Sequence, residues 1–174
     1  DPIRDLEIIN TELIFSDLEI VQNRLERITK KVMADKEAEE RHEYNVLKRC
    51  EESLLKDIPL RRLELSKEEK LILKNFGFIT LKPIIYVANV SEEDAVVGSN
   101  KYTKQLSEYA SLDNTSVIVM SAKIESELAE LNETDRIKFL SDIGIKNSGL
   151  DKLIYATYNL LGLATYFTCG QIEC

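Results

Sequence analysis

Two short apolar segments on either side of a helix-like stretch place the tightest constraint on how this chain folds. Pro83–Asn89 and Ser116–Met120 are apolar runs of the kind that form buried strands. The stretch between them, residues 100–111, reads as a helix. A strand, a helix and a strand at this spacing form a βαβ unit, whose strands are parallel and whose crossover is right-handed. The sequence therefore predicts an α/β fold.

Each predicted strand ends in a short polar motif. The first motif contains Asn89, Val90 and Glu92, and the second is Ser121-Ala122-Lys123. Ligands of open α/β sheets bind beyond the carboxyl ends of the strands. An amide both donates and accepts hydrogen bonds, whereas an ionised carboxylate only accepts them. The first motif is therefore suited to reading the edge of a purine while Val90 packs against its face. The second would place backbone N–H groups and a lysine stem beside the same base.

Both motifs also have simpler interpretations. Asn89 and Glu92 are polar residues of the kind that close a strand in a turn. Ser121 suits the N-cap of a helix that begins at Lys123. Short motifs also match by chance, so the residues alone leave these alternatives open.

The first third of the chain is predicted to be a helical hairpin. Asp1 is a candidate N-cap, and Pro2 fits the first helical position, where its missing N–H costs nothing. Apolar residues then recur at the alternating spacings of four and three that form a coiled-coil seam: Ile14, Leu18, Val21, Leu25, Ile28 and Val32. A polar connection at 34–41 leads to a second helical pattern formed by Tyr44, Leu47, Cys50 and Leu54. Two helices joined in this way pair antiparallel.

Further helices are predicted from capping and stop signals. Ser66 and Glu69 match a capping box that starts a short helix, which Gly77 is placed to end. Beyond the second strand, helices are expected at 123–131 and 134–143. Another should begin after Ser148 and stop at Gly162, and the β-formers of Ala164–Thr168 predict a last strand.

Composition excludes several classes of protein. The net charge of −8 argues against broad affinity for nucleic acid. No run reaches the roughly 18–20 apolar residues of a membrane span, and the first residues show neither a basic leader nor an apolar signal core. The three cysteines are too sparse for a disulfide framework and fit a reducing compartment. We therefore expect a cytoplasmic protein, and no zinc site at Cys169 and Cys174, because further ligands are missing and the single histidine, His42, is distant.

Taken together, four segments resemble the Obg-like ATPase (YchF) family of P-loop NTPases, over nearly the whole chain. They are Asp1–Leu13, Lys82–Glu92, Ser121–Leu131, and a last segment made of Ser148–Asp151 with Leu160–Gly170. The resemblance implies the second half of a P-loop NTPase (Ras-like) parallel-sheet domain with an α-helical antiparallel coiled-coil insertion. It assigns residues 1–80 to the insertion, apart from first turns that belong to the nucleotide domain. It assigns 81–163 to the C-terminal half of the nucleotide domain and 164–174 to the start of a TGS domain.

The resemblance also implies ATP as ligand, bound with Mg²⁺, and a base site formed by the six residues of the two strand-end motifs. The family's phosphate loop, its switch and its Mg²⁺ ligands are expected before residue 1, and the TGS domain after the last residue. The six glycines of the chain contain no G-x-x-x-x-G-K-[ST] run. Because phosphate and Mg²⁺ contacts supply most of the catalysis in this enzyme class, no catalytic residue and no metal ligand is assigned here. We expect these 174 residues alone not to hydrolyse ATP.

The base-reading motif differs from that of related GTPases, which carry Asn-Lys-x-Asp. Here the motif lacks the lysine, and its acid, Glu92, is one methylene longer. A longer acid that turns away from the base would remove the preference for guanine, so these residues are compatible with ATP. An acid at this position on its own favours guanine, so a GTPase stays open as an alternative. A non-enzymatic helical interaction module is the third interpretation.

The coiled coil is a second candidate for function. Its first helix and tip carry the basic residues Arg24, Arg27, Lys30, Lys31 and Lys36. Because the family is associated with ribosomes, the resemblance implies contact with the ribosome or its RNA at this face. Interleaved glutamates also fit an ordinary solvated helix exterior.

Overall fold

The chain forms two compact units, Asp1–Ile84 and Ile85–Cys174. The computed structural model describes residues 1–35 and 38–167. The described part of the first unit is helical, and the second unit combines helices with a two-stranded parallel sheet. No helix within these described ranges is both long enough and apolar enough to cross a membrane.

Helix α1 spans Pro2–Ala34 and α2 spans Arg41–Leu54. Asp1 caps α1 as predicted, since its carboxylate accepts the N–H of Ile3 at 3.1 Å. The predicted seam is confirmed, because all six of its residues are buried. From α2, Leu47, Cys50 and Leu54 pack into the same core.

Polar contacts show that the two helices are antiparallel. Arg24 of α1 binds the carboxylate of Glu43 at 2.5 and 2.9 Å. Lys31, which is farther along α1, binds Glu40, which precedes Glu43 in the chain. The Arg41 guanidinium donates to the carbonyl oxygens of Val32 and Asp35 at 2.5 and 2.9 Å. It therefore satisfies carbonyl groups that the end of α1 leaves without helical partners.

A buried carboxylate holds the rest of the first unit against α1. Asp17 is fully buried. Its Oδ1 accepts the N–H of Ile79 at 2.9 Å, and its Oδ2 accepts the N–H and the hydroxyl of Thr80 at 2.7 and 2.6 Å. Thr80 in turn accepts the backbone N–H groups of Leu60 and Arg61. One acidic side chain thus ties two distant backbone segments to the first helix.

A third helix completes this unit. Helix α3, Lys67–Leu73, begins with the predicted capping box of Ser66 and Glu69. A 3₁₀ turn, Lys74–Phe76, then ends at Gly77, which adopts a left-handed conformation (φ 68°). Leu73 and Phe78 join the hairpin side chains in one core.

The second unit begins with the βαβ arrangement. Strand β1 is Tyr86–Asn89 and β2 is Val117–Met120, and they pair in parallel with Asn89 opposite Met120. The connecting helix that the sequence predicted is α5, Lys101–Ser111. Both strands begin later than predicted, β1 by three residues and β2 by one. The handedness of the crossover stays a prediction.

One helix of this unit was missed. Helix α4, Glu92–Val97, follows β1 directly. Ser91 caps it by accepting the N–H of Asp94 at 3.2 Å, and Gly98 ends it with a left-handed backbone (φ 78°). Its six residues are too few to show a helical period, so only these end signals mark it in the sequence.

Three helices follow β2 as predicted: α6 at Ala122–Ala129, α7 at Glu133–Asp142 and α8 at Gly149–Leu161. The strand predicted at Ala164–Thr168 is wrong where the structure describes it, because 164–167 have no regular secondary structure. A strand requires a partner to pair its backbone groups, and β-propensity alone supplies none. Thr168 lies outside the described residues.

Replacing the buried carboxylate of Asp17 should lower the stability of the first unit. Asp17→Ala leaves the Ile79 and Thr80 donors without their acceptor, which should lower the free energy of unfolding by about 3 kcal/mol. Urea unfolding followed by circular dichroism at 222 nm measures this loss. Glu19→Ala is the matched control, since Glu19 is an exposed acid on the same helix. Equal midpoints for the two variants would show that Asp17 does not anchor the unit.

Candidate nucleotide base site

Parallel pairing brings both strand-end motifs to one edge of the sheet. Asn89 lies opposite Met120 in the register, and the N–H of Val90 donates to the carbonyl of Met120 at 2.9 Å. The chain then turns into α4 after β1 and into α6 after β2. The residues that the sequence predicted for the base site are therefore neighbours on two adjacent turns.

Asn89 links these two turns. Its Oδ1 accepts the N–H of Ala122, the first residue of α6, at 3.0 Å. The side chain is exposed, and its Nδ2 is a donor group. Asn89 thus holds the start of α6 with its oxygen and carries a donor at the edge where a base would lie.

The N-cap position that the sequence offered for Ser121 is confirmed, but the capping hydrogen bond is not formed. Ser121 occupies the N-cap position of α6, which begins at Ala122 and not at Lys123, but its side chain makes no capping hydrogen bond. It is only 4% exposed. Asn89 accepts the N–H of Ala122, the first residue of the helix, whereas a capping side chain would accept an N–H one or two residues later.

Glu92 and Lys123 form an ion pair across the two turns. Lys123 Nζ lies 2.5 Å from Glu92 Oε1, and both side chains are largely open to solvent. The hydrogen bond to Glu92, followed by the charges of Glu92 and Glu127, raises the pKa of Lys123. The acid that would read a guanine is therefore bonded to a cation of the same site.

Val90 and Ala122 complete the predicted set. Val90 is half-buried and packs against a small core formed by Ala95, Ile124 and Leu128 together with Leu140. Part of its surface is thus committed to anchoring α4 and α6. Ala122 is exposed.

A contact outside the six predicted residues joins α6, the helix that follows β2, to the start of α8. The Glu125 carboxylate accepts the backbone N–H groups of Gly149 and Leu150, at 2.6 and 3.1 Å. These donors are at the start of α8, where negative charge is stabilising. A Cβ at Gly149 would lie 2.5 Å from the Cβ of Met120 and 2.9 Å from Glu125 Oε1. Only glycine therefore permits this close approach.

Sequence reasoning identified Ser148 as the cap of α8, and its side chain accepts the N–H of Asp151 at 3.0 Å. It missed Glu125 and Gly149. The only sequence signal was a glycine at the predicted start of a helix. That signal does not reveal that the backbone of Gly149 contacts Glu125, 24 residues earlier.

The remaining candidate residues lie elsewhere. Within residues 1–35 and 38–167, no group of three or more His, Cys, Asp or Glu side chains is arranged to hold a metal ion. His42 is exposed, and Cys169 and Cys174 lie outside the described residues. Cys50 is buried in the hairpin core, and that burial raises the pKa of its thiol to about 11.

The five basic residues of the coiled coil are not equivalent. Arg24 is ion-paired to Glu43 of α2, and Lys31 to Glu40, the N-cap residue of that helix. Arg27 and Lys30 are exposed on α1. Lys36 lies outside the described residues.

The chain is similar to known proteins in both sequence and structure. No protein-family model matches the chain. It is 44% identical over 99% of its length to the ribosome-binding ATPase YchF of Bacillus subtilis (strain 168), and 39% identical over the same share to that of Escherichia coli O157:H7. The structure of the Schizosaccharomyces pombe YchF GTPase superposes with a TM-score of 0.87 at 32% identity and covers 98% of the chain.

These matches confirm the resemblance to the YchF family. The fold class is confirmed with it: part of a P-loop NTPase parallel-sheet domain with an antiparallel coiled-coil insertion. The chain spans about half the length, 47%, of the YchF relatives it matches. The curated YchF relatives are named as ATPases and the solved YchF as a GTPase.

The contact behind the site gives a stability prediction with an unambiguous sign. In open space, Gly→Ala at a helix position stabilises by roughly 0.5–1 kcal/mol. At Gly149 the methyl group meets Met120 Cβ, so we expect Gly149→Ala to destabilise by about 1–3 kcal/mol. Thermal unfolding measures the change, with Leu150→Ala as the control at the neighbouring exposed side chain. A more stable Gly149→Ala variant would contradict the close packing of α8 on β2.

Proposed function

We propose that this chain supplies the base-recognition half of an ATP-hydrolysing, ribosome-associated P-loop NTPase of the YchF family. The observation that carries the proposal is the meeting of Asn89 and Glu92 with Ser121–Lys123 at the carboxyl edge of two parallel strands. ATP is the proposed nucleotide and a cytoplasmic location the proposed setting. The names of the bacterial relatives support an ATPase.

Each residue of the site has a proposed role. The exposed Asn89 amide contacts the edge of the base, and the open part of Val90 packs against its face. The backbone of Ser121 and Ala122 forms the rim of the site. The Lys123 stem covers the ring while its ammonium stays in water, as lysine stems do on aromatic faces. Glu92 is the acid at the guanine-reading position.

The polar contacts favour adenine over guanine. Guanine presents two adjacent donors, N1–H and the N2 amino group, which a carboxylate reads with both of its oxygens. Oε1 of Glu92 is already bonded to Lys123. Adenine presents an acceptor at N1, and a carboxylate aimed at it would be repelled. The alternative of a GTPase rests on Glu92 itself and on the name of the solved relative.

Phosphate and Mg²⁺ binding are proposed to come from other parts of the protein. The described residues offer no carboxylate cluster for a metal, and hard oxygen ligands are what Mg²⁺ requires. The domain assignment is likewise a proposal: insertion at 1–80, nucleotide domain at 81–163 and TGS lead-in at 164–174. Along the chain, the boundary between the two compact units falls between Ile84 and Ile85, four residues beyond the first proposed domain boundary.

Loss of the Asn89 amide should weaken ATP binding. In the full-length protein, Asn89→Ala removes the base contact and the bond to Ala122. We expect the dissociation constant for ATP to rise about tenfold, the equivalent of about 1.4 kcal/mol and of one or two hydrogen bonds. Calorimetric titration with a non-hydrolysable ATP analogue measures it. Asn159→Ala, at an exposed asparagine of α8, is the control.

The outcomes separate the three interpretations. Preferential loss of ATP in Asn89→Ala supports the ATPase, whereas tighter wild-type binding of GTP than of ATP favours the GTPase. A wild-type protein that binds neither nucleotide would leave the helical interaction module as the best interpretation.

Ribosome association is proposed to use the exposed basic residues of the coiled coil. Arg24 and Lys31 hold the hairpin together through Glu43 and Glu40. Arg27 and Lys30 have their charged groups in solvent. These two are therefore the better candidates for phosphate contacts, which lysine and arginine make with RNA. The names of the bacterial relatives support a ribosomal partner.

The salt dependence of ribosome binding tests this assignment. Affinity falls as salt rises, and each lost phosphate contact reduces the magnitude of the slope of log affinity against log salt by about one. We therefore expect Arg27→Ala combined with Lys30→Ala to weaken co-sedimentation with ribosomes and to reduce the magnitude of the slope by about two. Lys67→Ala combined with Lys70→Ala is the matched control, because both lysines are exposed on α3 of the same unit. Equal losses in the two double variants would point to net charge and not to a specific face.

A further inference from the structure

We propose that Lys123 sets the base preference of the site by holding the Glu92 carboxylate, so that without the lysine amine the site turns toward guanine. This inference rests on the proposed function. It assigns to Lys123 a specificity role beyond covering the ring, and it places the choice of base in a pair of residues and not in the acid alone.

The geometry isolates this pair. Glu92 is the first residue of α4, directly beyond β1, and Lys123 is the second residue of α6, beyond β2. Their side chains meet at 2.5 Å across the mouth of the two turns. Asn89 pins the same two turns through Ala122. The backbone positions from which the two side chains extend are therefore set by the sheet and by this bond.

The neighbouring charges do not offer an equivalent pair. In the first turn of α4, Asp94 Oδ2 accepts the side-chain amide of Asn100 at 2.9 Å. Glu93 is exposed next to Glu92. Glu127, on α6, acts on Lys123 through its charge, whereas Glu92 acts through both a hydrogen bond and its charge. Glu92 is thus the principal partner of the lysine.

Chemistry then links the pair to the base. A carboxylate reads guanine when one oxygen faces N1–H and the other faces the N2 amino group. With Oε1 bonded to an ammonium group, only Oε2 of Glu92 keeps its full acceptor capacity for the base, and the negative charge of the carboxylate is compensated. The repulsion that a free carboxylate would exert on N1 of adenine is reduced in the same way. Both changes move the preference from guanine to adenine.

The size of the effect follows from exposure. Glu92 and Lys123 are 47% and 69% exposed, so the pair belongs to the weak class of surface ion pairs. At the upper end of that class, breaking the pair changes an equilibrium constant by about fivefold. We therefore expect the ratio of GTP affinity to ATP affinity to rise about fivefold when the lysine amine is removed.

The test uses the full-length protein and non-hydrolysable analogues of ATP and GTP, titrated by calorimetry. Lys123→Met keeps an apolar stem over the ring but removes the amine, and should raise the GTP-to-ATP affinity ratio about fivefold. Lys123→Arg keeps a cation and should shift the ratio less. In a Glu92→Gln background, Lys123→Met should have no further effect on the ratio.

Matched controls separate the pair from general charge. Lys104→Met removes an exposed lysine of α5, and Glu93→Gln removes the acid beside Glu92. Neither should change the affinity ratio. If they change it as much as the site variants do, the pair has no specific role and the inference is overturned.

The results distinguish this inference from the proposed function. An unchanged ratio in Lys123→Met, or an equal loss of both nucleotides, overturns the role of Lys123 and leaves the ATP site in place. A ratio that rises with Lys123→Met and stays level in the double variant supports the inference. A wild-type protein that binds neither analogue overturns the proposed function, and this inference with it.

Discussion

The hydrogen bond from the Ala122 N–H to Asn89 Oδ1 joins the ends of the two parallel strands, and the candidate site depends on it. Parallel pairing brings the strand ends to the same edge, but the register alone leaves the two following turns free to diverge. Asn89 closes that gap at 3.0 Å. Every other residue assigned to the site is on one of the two turns that this bond holds together.

The first unit is also held together by a single polar side chain that bonds to a distant segment. Asp17 accepts three hydrogen bonds at a position with no exposure, and a buried carboxylate is stable only when its oxygens are satisfied. Elsewhere in the hairpin, Arg24 and Lys31 bind Glu43 and Glu40, and Arg41 binds carbonyl groups at the end of α1. These internal duties determine which basic residues remain available to a partner.

The sequence predicted those parts whose information is local or periodic. The seam from Ile14 to Val32 follows from its spacing, and the two strands follow from short apolar runs between polar motifs. Contacts that join distant residues were out of reach. Asp17 is a charged residue inside a helical pattern, and its partners come 62 and 63 residues later. The strand prediction at Ala164–Phe167 failed for the opposite reason, because β-forming side chains are present but no strand within the described part of the chain pairs with them.

For the six residues of the candidate site, the sequence predicted their positions in the fold better than their contacts. All six residues lie on the two turns, since the ends of parallel strands must meet. Ser121 nevertheless makes no capping hydrogen bond, although it occupies the N-cap position of α6. The sequence shows Glu92 only as an acid that would bind guanine or turn away from the base. In the structure its carboxylate belongs to a pair with Lys123, and the same carboxylate presents a different face to a base when one oxygen is bonded to a cation. Under the role proposed for Lys123, the acid that follows β1 does not determine the preferred base alone, because the residue that follows β2 is bonded to it.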